Sequence, residues 1–420
     1  MFPGKAQQRA AYRPLSNGGV TMEHILESHY QATAERCGSE KLVLAVQNTT
    51  TVNYDGLEAT AGLDDLGGGG KGGDGILAHC SVVINEAGRP IGLIGVDASF
   101  RQSEGKDSIR WVRGLDRANE LSAACPNTKV VTVCDREGDF WELLARAKET
   151  GAALLVRASK SSKRHVELPG GERTCLWEHM REAKSLGART VEVPERGGRF
   201  RRKARTARLT VRCEAVDLVP PVEVGGETMR MVAVSAREER PPKTVEAKKE
   251  ALHWLLLTTE GDPGAGTAAT ALRWYELRWR IERYFDALKN GTRIEDRLDH
   301  ANDLKTCLAF DATTAFRVWD LDLLARERPD DPARLHVARD DIDTVCLLAE
   351  YRGFKVPRRP RDMDIRTFVV LAAGLAGFHT SKRQPLPGTQ KLWTGLKILR
   401  ISVKVVQARR KWKRKIKMNE

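Results

Sequence analysis

Nowhere in this 420-residue chain does a run of apolar side chains approach the roughly 18 that a membrane-spanning helix requires. The opening MFPGKAQQRAAYR also lacks the apolar centre of a secretory signal. Both absences lead to the expectation of a soluble, intracellular, cytoplasmic protein with no membrane partner. The eight cysteines, at positions 37, 80, 125, 134, 175, 213, 307 and 346, include no C-x-x-C pair to suggest zinc. Their scatter over a long chain is equally unlike a disulfide framework. They read as small reduced core residues, including Cys134, whose neighbourhood offers no paired base. No internal repeat is evident. The glycine-rich GGGGKGGDG at 67–75 follows Lys71 with Gly72, where a phosphate-binding loop needs Ser or Thr at the start of a helix, so it reads as a flexible loop.

What the chain has in excess is positive charge. With 70 Lys and Arg against 56 Asp and Glu the formal charge is +14. That balance calls for a polyanionic partner such as nucleic acid. The length suffices for two or three domains with a substantial core.

Along the chain, a helical pattern at 22–36 precedes a strand at 41–46, KLVLAV, which runs into Gln47, Asn48, Thr49 and Thr50. Strand-like runs at 76–84 and 91–96 are joined by NEAGRP, a composition suited to a hairpin turn. A helix at 107–124 leads to KVVTVC at 129–134, a short apolar run typical of a buried strand, which ends in Asp135-Arg136-Glu137-Gly138-Asp139. A helix at 140–149 and a strand at 152–156 follow. Between 157 and 252, alternating runs among prolines, glycines and the basic cluster RFRRKAR at 199–205 read as a mostly antiparallel β insertion. A strand at 254–258 then precedes helical patterns at 302–326, 332–351, 362–373 and 392–417, the last ending in RRKWKRKIK. That charge run adds to nucleic-acid affinity even as a solvated end.

The stretch at 273–291, RWYELRWRIERYFDALKNG, organises this reading. As one continuous helix it sets Tyr275, Arg278, Glu282 and Lys289 within an arc of roughly 60°. Leu277, Ile281, Tyr284 and Leu288 then form the packing face. One carboxylate among two cations suits a site that handles phosphate.

Those four polar residues match the Y-R-E-K signature of DDE insertion-sequence transposases, and the chain resembles the IS-four-type family of these enzymes from about Tyr12 to Val405. Asp135-Arg136-Glu137-Gly138-Asp139 is similar to that family's second acidic motif, ILAH at 76–79 and GRPIGL at 88–93 to positions before it, and KLWTGLKIL at 391–399 to its C-terminal dimerisation region. The resemblance implies a ribonuclease-H-like α/β core, a mixed sheet flanked by helices. The expected layout is an N-terminal remnant and linker at 1–39, the first part of the core at 40–157, a β-rich insertion at 158–252, the second part with the Y-R-E-K helix at 253–328, and a helical dimerisation region with a basic tail at 329–420. It also implies a two-metal centre using Mg²⁺ or Mn²⁺, with Asp135 and Glu282 as ligands. Arg278 and Lys289 would clamp phosphates, Tyr275 would donate to a phosphate oxygen, and Trp254 would either stack on a flipped base or serve as a core ring. Partners would be transposon-end and target DNA, in a homodimer, on a bacterial nucleoid.

Three departures qualify the resemblance. Asn48 stands where the first catalytic aspartate belongs, and Asp55, seven residues on, faces the wrong way along a continued strand to replace it. Asp286 occupies a place where relatives often carry a lysine. Family members also generally have several dozen further N-terminal residues that recognise the transposon end, so the chain is expected to be N-terminally shortened. The expectation is therefore a cut-and-paste transposase impaired at Asn48, with an inactive dimerising inhibitor or a decayed remnant as the alternative.

Overall fold

The structure is a computed structural model that describes residue 17 and residues 19–54, 64–65, 74–99, 108–193, 204–239, 251–292, 294–296 and 301–419. Helix α1 (Met22–Cys37) is started by Thr21, whose hydroxyl accepts from the His24 amide while the His24 ring accepts from the Thr21 amide. It leads into β1 (Leu42–Asn53), β2 (Asp64–Asp65), β3 (Asp74–Asn85) and β4 (Pro90–Ser99). The turn between β3 and β4 is built on Asn85, whose side-chain oxygen accepts from the amides of Ala87 and Arg89, with Gly88 at a φ of 77° that a side chain would resist. Next come α2 (Ser108–Ala124), β5 (Lys129–Cys134), α3 (Trp141–Thr150) and β6 (Ala153–Arg157).

The region read as a β insertion contains β7 (His165–Glu167), β8 (Arg173–Cys175), α4 (Leu176–Glu182), β9 (Ser185–Val193), β10 (Arg205–Leu218) and β11 (Met229–Arg237). Most of the basic cluster at 199–205 falls outside the described residues, as do Asp55 and the glycine-rich loop at 67–73. After β12 (His253–Thr258) the chain is helical: α5 (Ala265–Leu277), α6 (Arg280–Asp286), α7 (Ala301–Glu327), α8 (Arg339–Tyr351), α9 (Ile365–Gly374) and α10 (Thr389–Asn419).

Among the described residues twelve strands form one mixed sheet in the order β2-β3-β1-β5-β6-β12-β11-β10-β7-β8, with β4 on β3 and β9 on β10. β1, β5 and β6 are mutually parallel neighbours, and the other pairings are antiparallel. The strands of the 158–252 region thus continue the central sheet through β12. Both faces are covered, which explains why the central strands read as unbroken apolar runs. Leu154, Val156, Leu255 and Leu257 pack under α2 and α3, whereas the alternate residues Leu155 and Leu256 join the core shared with α1, α5, α6 and α7. No helix among the described residues is long and apolar enough to cross a membrane.

The single continuous helix expected over 273–291 is not what forms. The backbone stays right-handed helical, but the amides of Trp279, Ile281 and Glu282 each bond three residues back, tightening the turn between α5 and α6. Residues Ala287–Gly291 then widen into a π turn closed by the Thr292 amide on the Ala287 carbonyl at 3.0 Å. No Gly or Pro sits at the tightened step, so its cause is tertiary: both sides of the segment are held by distant partners.

Candidate functional site

β1 outruns its parallel neighbour. It pairs with β5 only as far as Val46 opposite Val133, while its antiparallel pairing to β3 continues to Asn53 opposite Gly75. Asn48 is therefore inside the strand rather than beyond its end, at the point where one flank of β1 becomes open. Continuing the parallel register by two residues sets Asn48 beside Asp135, the first residue after β5. From the other direction comes α6, and Asn48 Nδ2 donates to Glu282 Oε1 at 3.0 Å across 234 residues of sequence. The Asn48 side-chain oxygen accepts from the Thr49 amide at 2.9 Å. Asn48 and Glu282 thus meet from distant segments, and Asp135 follows the strand next to β1, with Asn48 buried, Asp135 half-buried and the Glu282 side chain 43% exposed.

Asp135 begins the short turn Arg136–Gly138, and its carboxylate accepts from the Glu137 amide at 2.8 Å. A side chain at Gly138 would put its Cβ 2.8 Å from Cys134 Cβ and 3.1 Å from the Trp111 ring, which is why the turn needs glycine there. Asp139, at the far end of the pentapeptide, is sealed: it takes hydrogen bonds from the Ser159 amide, the Ser162 hydroxyl and Arg164. Burial pushes the Cys134 thiol well above its ordinary range, with Asp135 adding to the rise and Arg278 opposing it. That disposes of Cys134 as a nucleophile and brings the Arg278 charge within electrostatic reach of the Cys134–Asp135 corner.

Arg278 is 4% exposed. Its guanidinium lies over the rings of Trp279, at 5.0 Å, and Tyr275, at 5.6 Å, and its Nη1 is 3.6 Å from Glu282 Oε1. Its Nε and Nη1 have no hydrogen-bond partner among the described residues. A buried cation with open donors is costly unless an anion completes it.

The other sequence candidates are placed differently from a shared polar stripe. Tyr275 is 1% exposed, and its hydroxyl accepts from Arg157 at 3.4 Å. Trp254 is a core ring, 8% exposed and edge-on to Tyr275 at 5.6 Å, offering no face for a base to stack on. Lys289 pairs with Glu295 at 3.4 Å, and Glu295 also accepts from the Asn53 amide at 3.0 Å, so this lysine sits at the far end of β1 already neutralised. Asp286 is exposed and holds Asn290 at 2.8 Å. The segment similar to the dimerisation region is mostly internal, with Leu392 and Leu399 buried in the chain's own core.

Two neighbours of the candidate site escape the sequence reading. Glu295 is one. The other is a buried relay behind Thr49: His79 Nδ1 is 2.9 Å from the Thr49 hydroxyl, and the Gln47 amide, turned so that its nitrogen donates, reaches His79 Nε2 at 3.1 Å and the Trp111 carbonyl at 3.2 Å. In that arrangement His79 donates to Thr49, leaving the threonine proton free for a ligand. Burial, seconded by Arg110 and Arg117, lowers His79 to about 3, so the ring is neutral. Thr49 lines a cleft of about 640 Å³ shared with Arg110, Arg136, Ser159 and Ser161. The only sequence signal for this relay was the alternation of Gln47, Thr49 and His79 toward one face of two paired strands.

A pair of divalent ions fits these donors poorly. Two carboxylates remain, no group of three His, Cys, Asp or Glu side chains among the described residues is arranged to hold a metal ion, and the Asn48 amide nitrogen occupies the Glu282 oxygen that a metal would take.

No protein-family model matches the chain. Among solved structures, a cryo-EM structure of the piggyBac transposase synaptic complex with hairpin DNA is similar at 11% identity and a TM-score of 0.26. The match covers 78% of this chain and 62% of that one, so less than two thirds of that protein's length is spanned. A likeness at this level decides nothing about the present chain's fold or activity.

Proposed function

We propose that this chain is a DNA-binding protein of transposase type whose phosphodiester-cleaving centre is disarmed at Asn48. The observation that carries the reading is the meeting of Asn48 with Glu282 where β1 passes the end of β5, next to Asp135. Three acidic positions of a metal-dependent nuclease would converge in this way, and one of them is an amide. The ribonuclease-H-like assignment, transposon-end and target DNA as ligands, a homodimeric complex and Mg²⁺ or Mn²⁺ at a restored centre all belong to this proposal. Arg278 supports it, because its two open donors beside Glu282 suit a phosphate oxygen. With the amide in place no hydrolytic step is assigned, and the protein acts by occupying DNA.

The test is nicking of supercoiled plasmid DNA in Mg²⁺ or Mn²⁺. The natural chain should not nick, and Asn48→Asp should gain at least about 10²-fold, the scale on which a single transition-state donor acts. Equal nicking by both forms would show that another carboxylate completes the centre. Inactivity of both would favour a decayed remnant.

A further inference from the structure

A basic cleft lies among the C-terminal helices, sharing no residue with the Asn48 centre. The loop after α8, the first turns of α9 and the segment between α9 and α10 enclose an open cleft of about 560 Å³. Its polar lining is Lys355, Arg366, Lys382, Thr367, Thr380 and Ser381, without a carboxylate. None of the three cations has an ion-pair partner among the described residues, and all three are exposed. Arg358, Arg359 and Arg383 extend the same two loops, also without an ion-pair partner among the described residues.

The scaffold beneath is ordered by its own contacts. Phe354 and His379 stack at 5.7 Å, tying the two loops together, and Phe354 packs on Gly374 so closely that a Cβ there would lie 3.1 Å from its ring. Ser381 and Gln384 exchange backbone hydrogen bonds at 3.1 and 3.2 Å, which fixes the turn carrying Lys382. The adjacent cleft on the other side of the α9 start supplies the contrast. There Arg334 and Arg361 are interleaved with Asp330, Asp362 and Asp364. Ordinary surface arginines in this region thus come with acids, and those of the Lys355 cleft do not.

We propose that this cleft is a docking groove for the phosphodiester backbone of a DNA duplex, engaged separately from the Asn48 centre. Three uncompensated cations and three hydroxyls match phosphate oxygens, and the open shape suits a continuous backbone better than an enclosed small ion. The inference rests on the DNA-binding reading for the identity of the polyanion, and on the six side chains for its location.

The experiment measures binding of the full chain to a labelled duplex as a function of salt, comparing the natural protein with Lys355→Gln/Arg366→Gln/Lys382→Gln. Each lost phosphate contact removes about 0.9 from the log–log slope, so the triple variant should be shallower by roughly 2–3, and each single substitution by about 0.9 should the triple fail to fold. Arg334→Gln/Arg361→Gln should leave the slope within about one contact of the natural value. A triple-variant slope equal to the natural one would overturn the groove while leaving the DNA-binding reading intact. Absence of natural-chain binding at low salt would overturn both. If the triple variant loses only binding to phosphatidylserine vesicles, or if inorganic phosphate displaces the duplex far beyond chloride at equal ionic strength, the occupant is a lipid headgroup or free phosphate and the proposal fails.

Discussion

Asp135 and Asp139 stand at the two ends of one pentapeptide, and their surroundings could hardly differ more. Around Asp139 the chain closes completely: the side chain has no exposed surface, and it is met by a backbone amide, a hydroxyl and the equally buried Arg164 at 2.5 Å. Around Asp135, which is half-buried, the structure supplies one backbone donor, the Glu137 amide. A carboxylate whose lone pairs are filled by the protein holds the fold together, whereas one left with unfilled lone pairs at a strand end is available for chemistry. Sequence spacing alone does not separate these two, since both are aspartates of the same motif.

The sharpest way to break that comparison is to remove each aspartate. Asp139→Ala strands the Arg164 charge in the interior and should cost about 3–5 kcal/mol of unfolding free energy, enough to shift a urea midpoint far to the left. Asp135→Ala loses only a capping contact and should cost about 1 kcal/mol. Equal losses would mean that Asp135 is structural too.

Next in size is a metal-linked gain. Asn48→Asp sets a carboxylate against Glu282, and Mn²⁺ at about a hundred times its dissociation constant should then stabilise the variant by roughly 2.7 kcal/mol, seen as a thermal shift. The natural chain should show no such shift.

Acid sensitivity follows. His79, lowered to about 3 by burial and by Arg110 and Arg117, is neutral when folded and takes up a proton near 6.5 when unfolded. The unfolded state therefore binds more protons between these values, so stability is full above about pH 6.5 and declines as pH falls, by up to about 1.4 kcal/mol per unit from this ring. His79→Gln should flatten the decline in denaturant titrations between pH 6.5 and 4, and an unchanged slope would contradict the neutral relay.

The smallest effect expected is from Tyr275→Phe, which gives up a long hydrogen bond to Arg157 and should cost no more than about 1 kcal/mol. DNA affinity should not change. A selective loss of affinity would return Tyr275 to a phosphate-contacting role.

How much of this was visible beforehand depended on whether local pattern or distant packing decided the outcome. Lys129–Cys134 forms a strand with the bounds its apolar run suggests, because burial on both faces makes the run unbroken. β1 continues seven residues past Val46 because polar Gln47, Asn48 and Thr49 are satisfied by His79, Glu282 and their own backbone, partners that no window of sequence displays. The motifs group positions 48, 135 and 282, and the structure shows the Asn48–Glu282 contact of that set. The expected places of Tyr275 and Lys289 rest on a uniform helix, whereas the core ring is one of the two places expected for Trp254. The tightened turn at Arg278 and the π turn after Asp286 redirect these two. Glu295 carried no pattern at all, lying just beyond the signature segment.

The position of β12 between β6 and β11 has a bearing on how the protein is made. β6 leaves the ribosome with only β5 to pair with, and its other flank, Leu155 to Arg157, waits for Leu256 to Thr258 about a hundred residues later. At typical rates of synthesis that is roughly 5–20 s during which the middle of the future sheet is an unpaired edge. A strand so exposed is a template for pairing with another nascent copy. Expression yield should therefore depend more on what shields β6 in that interval than on the stability of the finished sheet.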